Sequence, residues 1–194
     1  MKEATIGFAF CGSFCTFAKV IPNMKRLVDQ GYNIIPIMST SAYETDTRFG
    51  SAKSFRTSIE EICQNRIVHT IFEAEPIGPK KLLDALVIAP CTGNTLGKLA
   101  NGISDTSVTL AAKAHLRNGR PVVVAVSTND ALSGSAGNIG KLMVTKNYYF
   151  VPMRQDDPVH KPTSIVADFD QIPSALDCAL SGKQIQPMLI APAS

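Results

Sequence analysis

Along the chain, short runs of Val, Ile, Ala and Phe alternate with longer stretches whose apolar residues recur at every third or fourth position. The first kind of run suits a strand and the second one face of a helix, so the chain is expected to repeat β-α units. The first strand is expected over Ala4–Phe10. A Gly12-Ser13 turn follows, then a helix turning Phe17, Val20, Ile21, Met24, Leu27 and Val28 inward, bent by Pro22 and ended by Gly31. Asn33–Met38 reads as the second strand. Ser39-Thr40-Ser41 opens a helix that frays near Gly50, and Lys53–Gln64 forms the next, with Phe55, Ile59, Ile62 and Cys63 on one face. Ile67–Phe72 reads as a third strand and Ala85–Ala89 as a fourth, which Pro90 should end. Helices at Asn94–Ala100 and Asp105–Asn118 precede a fifth strand, Pro121–Ser127, whose unbroken Val and Ala suit the middle of a parallel sheet. A helix at Asn138–Lys146, a sixth strand at Tyr148–Val151, an exposed loop at Gln155–Pro162 and a last helix at Ile172–Ser181 complete the pattern.

The expected fold class is therefore α/β: a single Rossmann-like doubly wound parallel sheet of about six strands with helices on both faces, spanning 1–182. The tail, 183–194, is expected to be disordered or to dock on a neighbour. Composition sharpens this picture. With 45% hydrophobic and 18% charged residues the chain is too apolar for disorder, and the apolar surplus suits a sheet covered on both faces together with an oligomer surface. The net charge of +3 is scattered, which argues against a nucleic-acid partner. No apolar run approaches the ~18–20 residues that cross a bilayer, and Met-Lys-Glu-Ala leads into no signal-like apolar segment, so a cytoplasmic protein is expected. Five cysteines without a CxxC pair and three scattered histidines suggest neither a disulfide framework nor a metal site.

In a doubly wound sheet, ligands sit beyond the C-terminal strand ends. There the chain offers Gly12-Ser13 after the first strand and Ser39-Thr40-Ser41 after the second: glycine, hydroxyls and helix N-termini, the ingredients of a phosphate cradle. Any one of Ser13, Ser39 and Ser41 could equally be a helix cap. Other glycine patterns fail on spacing. Gly7 to Gly12 has a P-loop step but is followed by Ser13-Phe14, and Gly93 to Gly97 with Lys98 is one residue short. Gly134, Gly137 and Gly140 do not give the order of a nicotinamide fingerprint.

After the fourth strand the chain reads Pro90-Cys91-Thr92-Gly93-Asn94-Thr95, continuing to Lys98, Ala100, Gly102 and Asp105. This resembles the PA(T/S)ANTxxKxAxGxxD motif of the homo-oligomeric flavin-containing cysteine decarboxylases, a family that also holds a flavin prenyltransferase. Cys91 and Gly93 stand in place of two alanines. The resemblance implies FMN, with its phosphate on Gly12, Ser13, Ser39 and Ser41 and its ring held by Pro90, Cys91, Thr92, Gly93, Asn94 and Thr95. It also implies a trimer or dodecamer. Lys98 as a solvated helix residue and Asp105 as a helix N-cap are the plainer readings of those two positions.

The likeness breaks in two places. The family's catalytic histidine, counted back from Asp84, falls on Pro76, and His69 nearby reads as a half-buried structural residue. The family's Pro-x-Met-Asn turn appears as Val126-Ser127-Thr128-Asn129. Residues 1–187, including Gln155–Pro158, Lys161-Pro162 and Val166–Phe169, instead resemble a branch found in spore-forming bacteria. That likeness implies a sporulation oxidoreductase acting on a small cyclic dicarboxylate together with a Rossmann-type partner protein that carries NAD(P). Asn129, Thr128 and Lys161 are then the expected substrate contacts, with a solvated loop cation as the plain reading of Lys161, and no catalytic residue is identified. Cysteine decarboxylation, and a non-catalytic partner with a vestigial flavin cleft, are the alternatives.

Overall fold

The apolar runs do become strands. In the computed structural model, which describes residues 4–191, the elements are β1 (Thr5–Phe10), α1 (Phe17–Asp29), β2 (Asn33–Met38), α2 (Thr40–Glu44), α3 (Ala52–Cys63), α4 (Ile71–Ala74), β3 (Ala85–Cys91), α5 (Gly93–Ala100) and α6 (Ser107–Leu116). They continue with β4 (Val122–Thr128), α7 (Ala136–Met143), β5 (Tyr148–Phe150), β6 (Met153–Asp157), β7 (Lys161–Ala167) and α8 (Ile172–Leu180). The sheet runs β2-β1-β3-β4-β7-β6, with β5 also on β4. Chain order leaves β1 for β2 on one side and returns to β3 on the other, so the strand order reverses between β1 and β3, where such sheets bind ligands.

Strand alternation feeds two cores. Ile6, Phe8 and Phe10 face one layer with Phe17, Met24, Leu27, Ile59 and Leu176, while Ala9 and Cys11 face the other with Leu86, Ile88, Leu96, Val108 and Leu142. In the first layer the rings of Phe8, Phe10, Phe17 and Phe55 form a chain with centroids 5.0–5.4 Å apart. Full burial of Phe8, Phe10 and Phe17 is worth about 1.5–3 kcal/mol each. All seven residues of β3 are buried, as both-face coverage requires.

Four expectations need correction. Ile67–Phe72 is no strand: Val68 makes one bridge to Ile37, after which Thr70 and Glu73 form a reciprocal capping box that starts α4. Pro90 does not end its strand, which runs on to Cys91 with a register shift after Ile88. The expected loop at Gln155–Pro162 is instead an antiparallel hairpin, β6–β7, whose turn holds Pro158 and whose β7 pairs antiparallel with β4, so the sheet is parallel only from β2 to β5. Finally, residues 184–191 pack on this chain. Gln184 exchanges two hydrogen bonds with the backbone of Phe150, and Met153 does the same with the backbone of Met188 and Ile190. The last expected tail residues, 192–194, lie outside the described ones.

Candidate functional site

The ends of β1 and β3 are tied by a hydrogen bond from the Cys11 amide to the Pro90 carbonyl, 3.3 Å. After β1, Gly12 passes so close to α2 that a Cβ there would stand 3.2 Å from Ser41 Oγ. Ser13 caps no helix with its side chain. Its hydroxyl reaches across to Ser127 Oγ at the end of β4, 2.9 Å away. Ser39 does cap α2, accepting from the Ala42 amide, and lies 3.2 Å from Ser41 Oγ. Thr92 caps α5 by accepting from the Thr95 amide, and Thr95 Oγ1 rests on the Cys11 sulfur at 3.3 Å.

These turns enclose two hollows that meet over Gly12 and Thr92. The smaller, about 240 Å³, is lined by Gly12, Ser39, Ser41, Thr92, Asn94, Thr95, Lys98 and Thr106, with Thr40 completing it. Hydroxyls, the Asn94 side-chain amide and the Lys98 ammonium line it without a carboxylate, donors that a phosphate can use, with the Lys98 charge already paired to Asp105. Lys98 and Asp105 are not the plain residues expected. They pair at 2.8 Å, and it is Thr106, not Asp105, that caps α6. The larger cleft, about 560 Å³, takes Ser13, Ser127, Thr128, Asn129 and Lys161 along its walls. Sequence reasoning missed Lys19, Phe49 and Asp156, which line it too. Lys19 had a readable signal, in the first turn of the helix that follows the Ser13 turn. Phe49 and Asp156 had none, because they arrive on a loop and a hairpin the pattern did not show.

Of the expected ring-holding residues, Pro90 and Cys91 are buried inside β3 and line neither hollow. Burial pushes the Cys91 thiol well up and that of Cys11 up to about 11, so neither is a thiolate nucleophile at neutral pH. Gly93 packs beneath Thr128, Asp130 and Ser135. The Thr128 hydroxyl, 2.6 Å from Asp130 Oδ1, and that of Ser135 hold the Asp130 carboxyl below the usual range. Asn129 is held by the hairpin: its carbonyl accepts from Thr163 and its Oδ1 from Ser164. Lys161 pairs with Asp156 at 2.7 Å, which raises its pKa. His69 stands elsewhere, stacked flat on Tyr43 with ring centroids 3.8 Å apart and its Nδ1 3.1 Å from Glu73, beside α4. Pro76 lies in a 3₁₀ turn, Glu75–Ile77, that contributes nothing to either hollow. Among the described residues no cluster of potential metal ligands forms, and no helix is long and apolar enough to cross a membrane.

Three comparisons bear on this site. The model of the flavoprotein family matches residues 1–143. The dipicolinate synthase B subunit of Bacillus subtilis (strain 168) is 44% identical over 190 residues, 98% of this chain and 95% of that protein. The crystal structure of the dipicolinate synthase B subunit from Bacillus halodurans superposes with a TM-score of 0.91 at 46% identity, covering 98% of this chain and 97% of the other. The FMN-dependent cysteine decarboxylase SpaF shares the fold, with a TM-score of 0.66 at 21% identity over 92% and 96% of the two chains.

Proposed function

The chain belongs to the flavoprotein family, and on that footing we propose that it is the B subunit of a dipicolinate synthase. It acts with the synthase's Rossmann-type A subunit, which carries NAD(P), to oxidise a dihydrodipicolinate-type precursor to dipicolinate in the mother-cell cytoplasm during sporulation. The observation that carries this reading is the extent of the similarity. The family match stops at residue 143, whereas the likeness to the Bacillus proteins continues through the β6–β7 hairpin that walls the large cleft.

The residues present fit FMN. The small hollow offers Gly12, Ser39 and Ser41 to the phosphate with Ser13 beside it and the Asp105-paired Lys98 on its wall, and the Thr92–Thr95 turn offers the ring its capping hydroxyls and Asn94. When bound, a flavin supplies a two-electron acceptor. Asn129 is the substrate contact with a donor to spare, keeping its side-chain amide for an anion while the hairpin holds its two oxygens, whereas the Thr128 hydroxyl donates to Asp130 and the Lys161 ammonium to Asp156, so those two shape the wall beside it. Among the side chains lining the cleft, Asp156 is the one carboxylate, and it is neutralised by Lys161. The chain therefore binds and orients the substrate, and proton removal belongs to the assembled complex. Cysteine decarboxylation is the weaker reading, because proline at position 76 has no acid-base group to contribute. The family's homo-oligomeric assembly, a trimer or dodecamer, is part of the proposal.

Co-expression with the Rossmann-type partner tests it. The expected result is a complex, yellow with flavin absorbance, that forms dipicolinate, with Asn129→Ala lowering the rate. A complex with full activity in which this chain neither holds FMN nor responds to Asn129→Ala overturns the catalytic reading in favour of a structural partner.

A further inference from the structure

We propose that Lys19 selects for a dianionic substrate by meeting its second carboxylate in the large cleft. The inference rests on the dipicolinate reading and deepens it by naming a specificity residue.

Charge balance carries the argument. The side chains lining the cleft include three charged groups, Lys19, Lys161 and Asp156, among hydroxyls and the Asn129 amide. Lys161 and Asp156 satisfy each other at 2.7 Å. Lys19 is in none of the ion pairs formed among the described residues, so it is the one uncompensated charge lining the cleft. A monoanion held by the Asn129 amide leaves that ammonium unused, whereas a dicarboxylate brings a second charge that calls for it.

Position supports the same assignment. Lys19 is the third residue of α1, so it projects from the wall built by the Ser13 turn, while Thr128 ends β4, Asn129 follows it and Lys161 begins β7. Together with Asp156 and Val166 it also lines an adjoining groove of about 490 Å³, which places it at the boundary where α1 faces the hairpin. Lys19 is exposed, so its ammonium can stay hydrated in the free protein and reach inward on its flexible stem when an anion arrives.

Two probes separate the possibilities: pyridine-2,6-dicarboxylate and pyridine-2-carboxylate, titrated calorimetrically into the full chain in the presence of FMN. Lys19→Gln is expected to weaken the dicarboxylate about tenfold, the scale of one charge-assisted hydrogen bond, and to leave the monocarboxylate unchanged. Lys19→Arg should restore most of the loss. Asn129→Ala should weaken both probes. If Lys19→Gln binds both probes as the unmodified chain does, or weakens both equally, the inference is overturned while the dipicolinate reading stands. If the unmodified chain binds neither probe, the dipicolinate reading falls and the inference with it.

Discussion

Asp130 occupies the space that a side chain on Gly93 would need. A Cβ at position 93 would stand 2.8 Å from Asp130 Oδ1, and as close to Thr128 Oγ1 and Ser135 Oγ. The turn at the end of β3 and the loop after β4 are thereby one packed unit, and Gly93 is the condition for a carboxylate at position 130. The alanine expected there from the decarboxylase likeness would force this carboxylate and its two hydroxyl partners to shift.

Gly93→Ala is therefore expected to cost about 1–3 kcal/mol through overpacking, read as a lower urea midpoint with an unchanged slope. In Gly93→Ala/Asp130→Ala the penalties should fall well short of additive, since without the carboxylate the Thr128 and Ser135 hydroxyls can rotate away.

On the FMN proposal, Ser13 and Thr92 are expected to separate cofactor binding from folding. Ser13 caps nothing, so Ser13→Ala is expected to weaken FMN about tenfold while costing less than about 1 kcal/mol of stability. Thr92→Ala should weaken FMN and also lose about 1 kcal/mol as the cap of α5 disappears. Fluorescence titration with FMN and urea unfolding on the same samples check both.

Burial pulls His115 down to about 4 from its ordinary 6.5, against the hydrogen bond its Nε2 shares with the Pro121 carbonyl. The unfolded chain then takes up the proton first as pH falls, so this contribution is complete above pH 6.5 and is lost on the way to pH 4. The loss amounts to roughly 3 kcal/mol at 1.36 kcal/mol per unit. Unfolding midpoints measured from pH 7 to 4.5 should fall steeply, and His115→Gln should flatten that slope.

The strands at the heart of the fold were legible because residues buried on both faces leave continuous apolar runs: Asn33–Met38 falls on β2 to the residue. What escaped were elements defined by partners. The hairpin carries Arg154, Gln155, Asp156 and Lys161 at a sheet edge, where polar side chains face solvent and the strand signal disappears. The Thr70-to-Glu73 spacing that starts α4 was present in the sequence as a capping-box signature but was outweighed by the apolar Ile67, Val68, Ile71 and Phe72. At the site, the hydroxyl turns after β1, β2 and β3 were readable from strand-end position. The burial of Cys91 and the anchoring of Asp130 depend on contacts between distant segments.

Thiol reactivity gives another expected outcome. Cys15 is exposed at the cleft, while Cys11, Cys63 and Cys91 are buried, with burial pushing Cys63 up to about 12. Iodoacetamide at neutral pH should label Cys15 ahead of those three, and FMN or pyridine-2,6-dicarboxylate should slow that labelling. Mass mapping of peptides decides it.

The hairpin is pinned twice: β7 pairs with Ser127 and Thr128, and the backbone of Met188 and Ile190 brackets Met153 in β6. During synthesis this sets a schedule. The segments around the smaller hollow, from Gly12 to Thr106, emerge from the ribosome before the hairpin that walls the larger one, and the strap that fastens the hairpin emerges after it. A nascent chain can thus assemble the smaller hollow before the larger one is walled.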